Sequence, residues 1–294
     1  MNNITKILTL IFLLISSILF ADSFSAYIEN DVYENSDGFY THGTQLEYTH
    51  NIDSTNVLGI KGSQEIFTPS DKNNPLPEYG DRPYAGWLHG DVYLERYYDN
   101  HWIDHYELSL GVVGPYSGGE LAQKTVHKWL GNKQPQGWQY QLLNEPTIQI
   151  NYGKIYSVFL NDYVELRPEM RLNAGNVLDD FELIQTVRFG YNIPKDFSPR
   201  ISIKGLSKKY YCYGFLGVAG AAIARNLLLD GNTFREDEDV VTVEHRPIVC
   251  DGIMGICFGI NFIEITVTHI EQTDEFYGQK RDERYDSLKV RYIW

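Results

Sequence analysis

Apolar and polar residues alternate one by one through most of this chain, and no other feature limits its possible folds so strongly. In the segment 162–174, Val164 and Leu166 would share one face of a strand, while Glu165 and Arg167 occupy the other. This period of two is typical of β-strands, because successive side chains point to opposite faces. A face of alternating charges suits a polar interior. The pattern therefore predicts an all-β protein whose strands enclose a polar lumen.

Similar alternation recurs along the chain and predicts about twelve strands in one domain, an even number as single-chain bacterial barrels require. The expected fold class is a transmembrane antiparallel β-barrel with one or two short helices in its connections. The content of 22 Tyr, 14 Phe and 5 Trp agrees with such a barrel. The expected strands span 23–31, 40–51, 56–67, 84–98, 103–114, 145–157, 162–174, 181–193, 210–228, 240–250, 256–270 and 286–294.

Both ends of the chain favour the bacterial outer membrane as its location. Residues 1–21 predict a signal peptide, because Lys6 precedes an apolar stretch that is short for a membrane span. An uncleaved anchor helix is the alternative. Residues 22–294 would then form the barrel. The last stretch, DSLKVRYIW, is an amphipathic strand that ends on the aromatic Trp294, like the final strand of outer-membrane barrels.

One stretch, GGELAQKTVHKWLG at 118–131, breaks the alternation and predicts a short helix. Its apolar residues recur at helical spacing, and the same spacing places Gln123 and His127 on one face. With the N-terminus on the periplasmic side, connections after odd strands are extracellular, and the helix would lie in the third of them. A second helix could occupy the long periplasmic connection 194–209. The expected extracellular connections are 32–39, 68–83, 115–144, 175–180, 229–239 and 271–285.

Several polar clusters converge on the extracellular rim of this predicted barrel. Each alone has an ordinary structural interpretation, since an Asn-Asp pair usually makes a turn and a helical His is usually exposed. Their common location is what favours a functional site. The residues concerned are Asn30, Asp31, Thr41, His42, Asp81, Arg82, Gln123 and His127.

These side chains have the chemistry of a metal-assisted ester hydrolase. His127 can act as a general base near neutral pH, and Gln123 can orient a water molecule or the imidazole. Asn30 and Asp31 offer the hard oxygen ligands that calcium prefers, and the ion would stabilise an oxyanion. Ser117 lies near the helix without an evident triad, and no GxSxG motif is present, so water is the expected nucleophile.

The motifs ENDVY, YTHG, GDRPYAGWLHG, VVGPYSGGELAQKTVHKWLG and QGWQYQLLNEP resemble those of the outer-membrane lipid A 3′-O-deacylases. The resemblance implies a twelve-stranded barrel whose active site lies between the wall and the loops at the level of the outer leaflet. It implies calcium-dependent removal of the 3′-linked acyloxyacyl chain from lipid A. By motif position it makes His127 the base, gives Gln123 and Thr41 catalytic roles, and makes Asn30 and Asp31 the metal ligands.

Two positions depart from the family pattern. Where the family has a basic residue after strand three, this chain has Asn74, with Lys72 two residues earlier; where it has an acid after the helix, this chain has Lys133.

The chain has 39 Asp and Glu against 25 Lys and Arg, a net charge of −14. It should repel the phosphorylated lipid A unless cations intervene. The expected substrate contacts are Lys72, Arg82 and Lys128.

Two other functions remain open from the sequence. A passive porin or structural barrel would also carry large extracellular loops, although it would not need a helix with His and Gln. An outer-membrane phospholipase would use the same base and calcium, and only the resemblance favours lipid A. The expected partners are lipopolysaccharide and other outer-membrane lipids, with no nucleic acid, and the expected state is a monomer. Among three cysteines, Cys212, Cys250 and Cys257, a bridge between the last two across a turn is left open.

Overall fold

The computed structural model describes residues 23–31, 38–53, 55–76, 79–98, 102–194, 210–235 and 240–294. Within these ranges the strands belong to one antiparallel sheet. The strands are β1 (Ser23–Asn30), β2 (Phe39–Asn51), β3 (Asn56–Thr68), β4 (Ala85–Tyr98), β5 (Trp102–Val113), β6 (Glu145–Tyr156), β7 (Val158–Asn161), β8 (Val164–Gly175), β9 (Leu178–Tyr191), β10 (Tyr210–Asn226), β11 (Ile248–Ile260), β12 (Ile263–Gln272) and β13 (Glu283–Ile293).

The sheet closes on itself because β6 pairs with β8, from Gln149 opposite Gly175 to Ile155 opposite Glu169. The short β7 pairs with β8 alone and stands outside this ring. The wall is therefore a closed antiparallel barrel of 12 strands, which confirms the predicted fold class. Among the described residues, no helix is long and apolar enough to cross a membrane.

Alternation along the strands sends polar side chains into the lumen and apolar side chains outward, as the sequence predicts. In the half of the barrel nearest Ser23 and Trp294, the lumen side chains pack closely: Glu165, Arg188 and Arg291 are 0% exposed. Arg188 forms an ion pair with Glu165, and Arg291 lies 3.5 Å from Glu264. The outward side chains stay exposed, among them Ile28, Leu46, Ile60, Leu88, Leu110, Ile150, Leu216 and Leu288.

Ten of the predicted strands lie within three residues of observed ones at both ends. The other two, 240–250 and 256–270, are wrong. The chain there forms β11 and β12, joined by the two-residue turn Asn261–Phe262. Asn261 adopts a positive φ of 51°, which suits a tight hairpin turn without glycine.

The glycines of β11 explain this error, because the stretch DGIMGI has the composition of a turn. In the structure Gly255 of this stretch leaves room for an aromatic ring from β10, since a Cβ there would lie 2.3 Å from Cζ of Phe215, and Gly259 further along β11 does the same. A Cβ on Gly259 would lie 2.0 Å from Cζ of Tyr211. Because Cys250 and Cys257 lie on this single strand, no bridge across a turn can join them, and all three cysteines are free.

Two α-helices of the described residues lie at the barrel end opposite Ser23 and Trp294, α1 (Gly119–Leu130) and α2 (Leu227–Asp230). The first confirms the helix predicted within 118–131. The second directly follows β10. The helix expected in the connection 194–209 stays a prediction, because 195–209 lie outside the described residues. The predicted signal peptide, 1–21, also lies outside them.

We predict that Gly259→Ala destabilises the barrel, because the added methyl group would collide with the Tyr211 ring. Overpacking of this kind costs about 1–3 kcal/mol. Gly62→Ala is the matched control, since a Cβ there meets no atom within 4 Å. Urea unfolding in detergent micelles, followed by heat-modifiable gel migration, compares the two. Equal midpoints would show that the ring moves aside without cost.

Candidate functional site

The α1 helix lies against the outward face of the barrel wall at β3 and β4. Its close approach requires glycine on both sides, because a Cβ on Gly119 would lie 3.1 Å from Cα of Gly86. The Gln64 side chain donates from Nε2 to the carbonyl of Ser117 at 2.7 Å. Gln64 and Gly86 both belong to the outward-facing set of alternating residues, together with Leu88. The helix therefore covers part of the outside of the barrel.

Glycines in the left-handed conformation set both ends of α1. Gly118 precedes the helix with a φ of 72°, and Gly131 follows it with a φ of 73°. At the C-terminal end, the Gly131 N–H donates to Lys128 O and the Asn132 N–H to His127 O, the two bonds of a Schellman motif. These bonds stop the helix one turn after His127 and hold that turn rigid.

The polar face of α1 packs on the barrel, and its apolar residues point away. Gly119, Gln123 and His127 are buried, whereas Leu121 is 73% exposed and Trp129 is 80% exposed. The predicted spacing is confirmed, and it brings Gln123 and His127 together between the helix and the wall.

The His127 ring is held through its Nδ1 atom, which lies 2.6 Å from the backbone carbonyl oxygen of Lys133. A carbonyl oxygen only accepts, so Nδ1 carries the proton and donates it. The neutral ring then presents the lone pair of Nε2, which is the arrangement of a general base. Because the contact uses the main chain, the departure of the Lys133 side chain from the family pattern does not affect it.

The Gln123 amide is oriented by Trp138, whose Nε1 donates to Gln123 Oε1 at 2.7 Å. An indole N–H can only donate, so the amide oxygen must face Trp138 and Nε2 must point away from it. Gln123 Nε2 is buried and has no acceptor among the described residues. Trp138 is itself buried and packs with Tyr84 and Ile66. The structure therefore presents an amide donor at a fixed place.

On the wall, Asn30 and Thr41 come together at the outer ends of β1 and β2. The Asn30 side chain donates from Nδ2 to the Thr41 carbonyl at 3.1 Å and lies 3.4 Å from His42 Nδ1. A register shift between Tyr40 and His42 marks a β-bulge at Thr41. The bulge brings Thr41 Oγ1 within 2.7 Å of Thr68 Oγ1 on β3.

Asp31 directly follows this strand end and is buried, with Oδ2 accepting from the Gly38 N–H at 2.6 Å. Burial raises the pKa of the Asp31 carboxyl to about 6, against the opposing effects of the Gly38 hydrogen bond and the charges of Lys72 and Arg281. Burial also lowers the pKa of the Lys72 ammonium, while Asp31 raises it. Asn74 accepts from Leu76 within its own turn. Lys72 and Arg281 are therefore the basic side chains beside Asp31.

Ile66 joins the wall residues to the helix residues. On the outward face, Asn30 is paired with His42, and His42 is paired with Ile66. Two strand spacings place Ile66 about 10 Å from Asn30. Ile66 packs against Trp138 and Ala122 of α1. Asn30 and Thr41 on the wall and Gln123 and His127 on the helix thus border one strip on the outside of the barrel.

Two predicted substrate contacts lie elsewhere. Arg82 is 1% exposed, its Nη1 lies 2.9 Å from Glu275 Oε2, and its guanidinium stacks 4.6 Å from the ring centre of Phe67. This buried ion pair under the loops favours a structural role. Lys128 is exposed on the side of α1 between its wall-facing residues and its outer face.

Ser117 and Asp81 have structural contacts. Ser117 Oγ is buried and accepts from the Gly119 N–H at 3.3 Å, with no His contact among the described residues. Asp81 Oδ2 accepts from the Ser70 N–H at 2.9 Å and so braces its own loop.

The sequence profile of the family described as outer membrane protein LpxR matches residues 7–294. The chain belongs to this family. The match confirms the family predicted from the motifs and identifies a β-barrel protein of the bacterial outer membrane. No curated protein sequence matches the chain.

Among solved structures, LpxR from Salmonella typhimurium shares the fold, with a TM-score of 0.84 and 23% identity over 92% of this chain and 100% of that one. The KdgM porin is much less similar, with a TM-score of 0.46 and 8% identity over 92% of this chain and 99% of that one. The β domain of the Bordetella autotransporter BrkA has a TM-score of 0.48 and 11% identity over 93% of this chain and 99% of that one.

Three parts of the candidate site were missed by reasoning from the sequence: Thr68, Trp138 and the carbonyl of Lys133. Thr68 bonds to Thr41 and Trp138 to Gln123, 27 and 15 residues away in the sequence. A main-chain carbonyl cannot be predicted from the residue type, because every residue has one. The QGWQY motif was the one available signal for Trp138.

Proposed function

We propose that this chain hydrolyses an ester of lipid A, removing the 3′-linked acyloxyacyl chain with water as the nucleophile. The observation that carries the proposal is the His127 ring, whose Nδ1–H is held by the Lys133 carbonyl so that Nε2 is the proton acceptor. Family membership supports lipid A as the substrate. The position of the site on the outside of the wall supports a substrate that resides in the membrane.

In this mechanism His127 Nε2 takes a proton from water while the water oxygen attacks the ester carbonyl. The carbonyl oxygen becomes an oxyanion, and the imidazolium then gives its proton to the departing sugar oxygen. The products are the acyloxyacyl chain as a free carboxylic acid and a free 3′-hydroxyl group on the sugar. Lys72 adds a positive charge at the wall side of the strip, where an anionic lipid would otherwise meet an acidic protein.

Calcium is part of the proposal, and its ligands would include the Asp31 carboxylate and the Asn30 amide oxygen. Both are hard oxygen donors, and a bound cation would favour the ionised form of buried Asp31. The fit is sparse: the described ranges contain no group of three or more His, Cys, Asp or Glu residues that could hold a metal. With one carboxylate and Lys72 nearby, the expected Kd is on the order of 10⁻⁴–10⁻³ M. The ion would supply positive charge to the oxyanion.

A passive porin is disfavoured by the packing of the lumen. Porins keep a water-filled channel, whereas the lumen side chains of Glu95, Glu165 and Arg188 are 0% exposed. Phospholipid hydrolysis would use the same base and is tested by the same assay with a different substrate.

We predict that His127→Ala abolishes acyl release while the barrel still assembles, because the residue lies outside the strand ladder. Loss of a general base typically lowers the rate about 10²- to 10⁴-fold. Mass spectrometry of lipid A from cells that express each variant measures the loss of the 3′-linked chain. Thr125→Ala, on the opposite face of the same helix, is the matched control. Wild-type turnover by folded His127→Ala would rule out this mechanism.

A second expected outcome concerns the metal: excess chelator stops hydrolysis and calcium restores it. Titration calorimetry of the protein in detergent should show weaker calcium binding by Asp31→Asn than by the wild type. Asp162→Asn, which changes an exposed acid in the turn before β8, should bind like the wild type. Full activity in excess chelator would remove calcium from the proposal and leave the His127 test intact.

A further inference from the structure

The outer face of α1 carries large apolar side chains that nothing in the described part of the chain covers. Leu121, Thr125 and Trp129 lie about 200° around the helix from Gly119, Gln123 and His127, which face the wall. Leu121 is 73% exposed, Trp129 is 80% exposed and the preceding Tyr116 is 78% exposed. A soluble helix would bury such a face, since exposed apolar patches mark interaction surfaces.

The position of α1 identifies the partner. The helix starts on the flank of the barrel, where Gly119 touches Gly86 on the outward face of β4. The next outward residue on this strand is Leu88, which belongs to the exposed apolar surface of the wall. In an outer-membrane barrel this surface contacts lipid chains. The outer face of α1 therefore continues a surface that already lies against lipid.

The charges on α1 agree with this placement. Lys124 and Lys128 lie on the side of the helix between its outer face and its buried face, and Lys124 pairs with Glu120 at 2.6 Å. Helices that rest at a membrane surface combine Trp and Leu with flanking Lys residues, which reach the phosphate groups. We propose that Leu121 and Trp129 insert among the acyl chains of the outer leaflet and that the lipid holds α1 against the barrel wall.

The test uses Trp129 as its own reporter, in the full chain reconstituted in dioleoylphosphatidylcholine vesicles. The fluorescence of Trp129 is the difference between the wild type and Trp129→Phe. We expect vesicles with dibrominated acyl chains to quench most of this difference and aqueous iodide to quench little of it. Trp87→Phe is the control, because Trp87 bonds to Thr147 on the lumen side and should respond weakly to the brominated lipid.

A second reporter guards against a local effect of the substitution. Leu121→Trp in the Trp129→Phe background places a Trp elsewhere on the same face, and it should also be quenched by the brominated chains. Quenching of both reporters by iodide alone would overturn the proposal and show a face in water. Protection from both quenchers would also overturn it and indicate a second protein copy as the partner. Neither result depends on enzymatic activity.

A separate observation concerns Trp138, and this inference rests on the proposed function. The indole N–H holds the oxygen of the Gln123 amide, so Nε2 of Gln123 is the group left to act. That atom can only donate, and it is buried without an acceptor among the described residues. The acceptors that a hydrolysis reaction would bring to it are the attacking water and the ester carbonyl oxygen. We infer that Trp138 is a positioning residue that keeps the Gln123 donor turned toward the reacting ester.

Trp138→Phe removes the N–H and keeps an aromatic ring against Tyr84 and Ile66. Without this bond the amide can rotate and present its oxygen, which would repel an oxyanion. Removal of one oxyanion donor costs about 10²- to 10³-fold in kcat, so partial misorientation should cost about tenfold or more with little change in KM. Trp102→Phe is the matched control, because it makes the same change at the start of β5, at the other end of the barrel.

The double variant separates positioning from packing. If Trp138 acts through Gln123, Trp138→Phe combined with Gln123→Ala should be no slower than Gln123→Ala alone. Losses that multiply, or a Trp138→Phe protein with wild-type kcat, would overturn the inference. Absence of acyl release by the wild type would instead refute the proposed function, so the two failures can be told apart.

Discussion

Closure of the strand ring through β6 and β8 is the constraint on which the rest of the molecule depends. In a bilayer, each backbone N–H and C=O must find a partner inside the protein, and strands satisfy this only as a closed barrel. A closed wall has one lumen face and one lipid face. A shift of one residue in the pairing of a strand would move its lumen side chains to the lipid face and its apolar side chains into the lumen. Buried pairs such as Arg188 with Glu165 hold the charged set inside. The outward position of Asn30 and His42 follows from the same register.

Polar groups on the lipid side of such a wall are costly, and the structure shields them with local irregularity. The bulge at Thr41 turns this residue toward Thr68, so that each hydroxyl finds a partner. The α1 helix then covers the neighbouring outward positions on β3 and β4 with its own polar face. The candidate site thus lies between two surfaces that would each be unfavourable alone in contact with lipid.

Much of the barrel could be predicted because its strands obey a period of two, and the predicted helix followed from its spacing. Gly255 and Gly259 of β11 could not be interpreted correctly without Phe215 and Tyr211, the distant residues whose rings need their space. The orientation of α1 was also beyond the sequence. In water an amphipathic helix buries its apolar face, but beside lipid the polar face with Gln123 and His127 is the one that needs cover.

The candidate site could be predicted only as far as side-chain chemistry reveals it. Asn30 and Thr41 on the wall and Gln123 and His127 on the helix border one strip, and Asp31, which follows Asn30, lies near Lys72. Arg82 is not part of this strip. Its guanidinium pairs with Glu275, which lies in a loop far away in the sequence. The Lys133 carbonyl was unpredictable for a different reason: any residue type could supply it.

The position of the strip on the outside of the wall determines how a lipid would reach this protein. Because the strip opens on the outside of the wall, a lipid arrives sideways, by diffusion within its own leaflet. The encounter rate then depends on the surface concentration of the target lipid in the membrane and not on its concentration per volume of solution. Inert lipids would slow such a protein by spreading its targets apart, even if they never touched it.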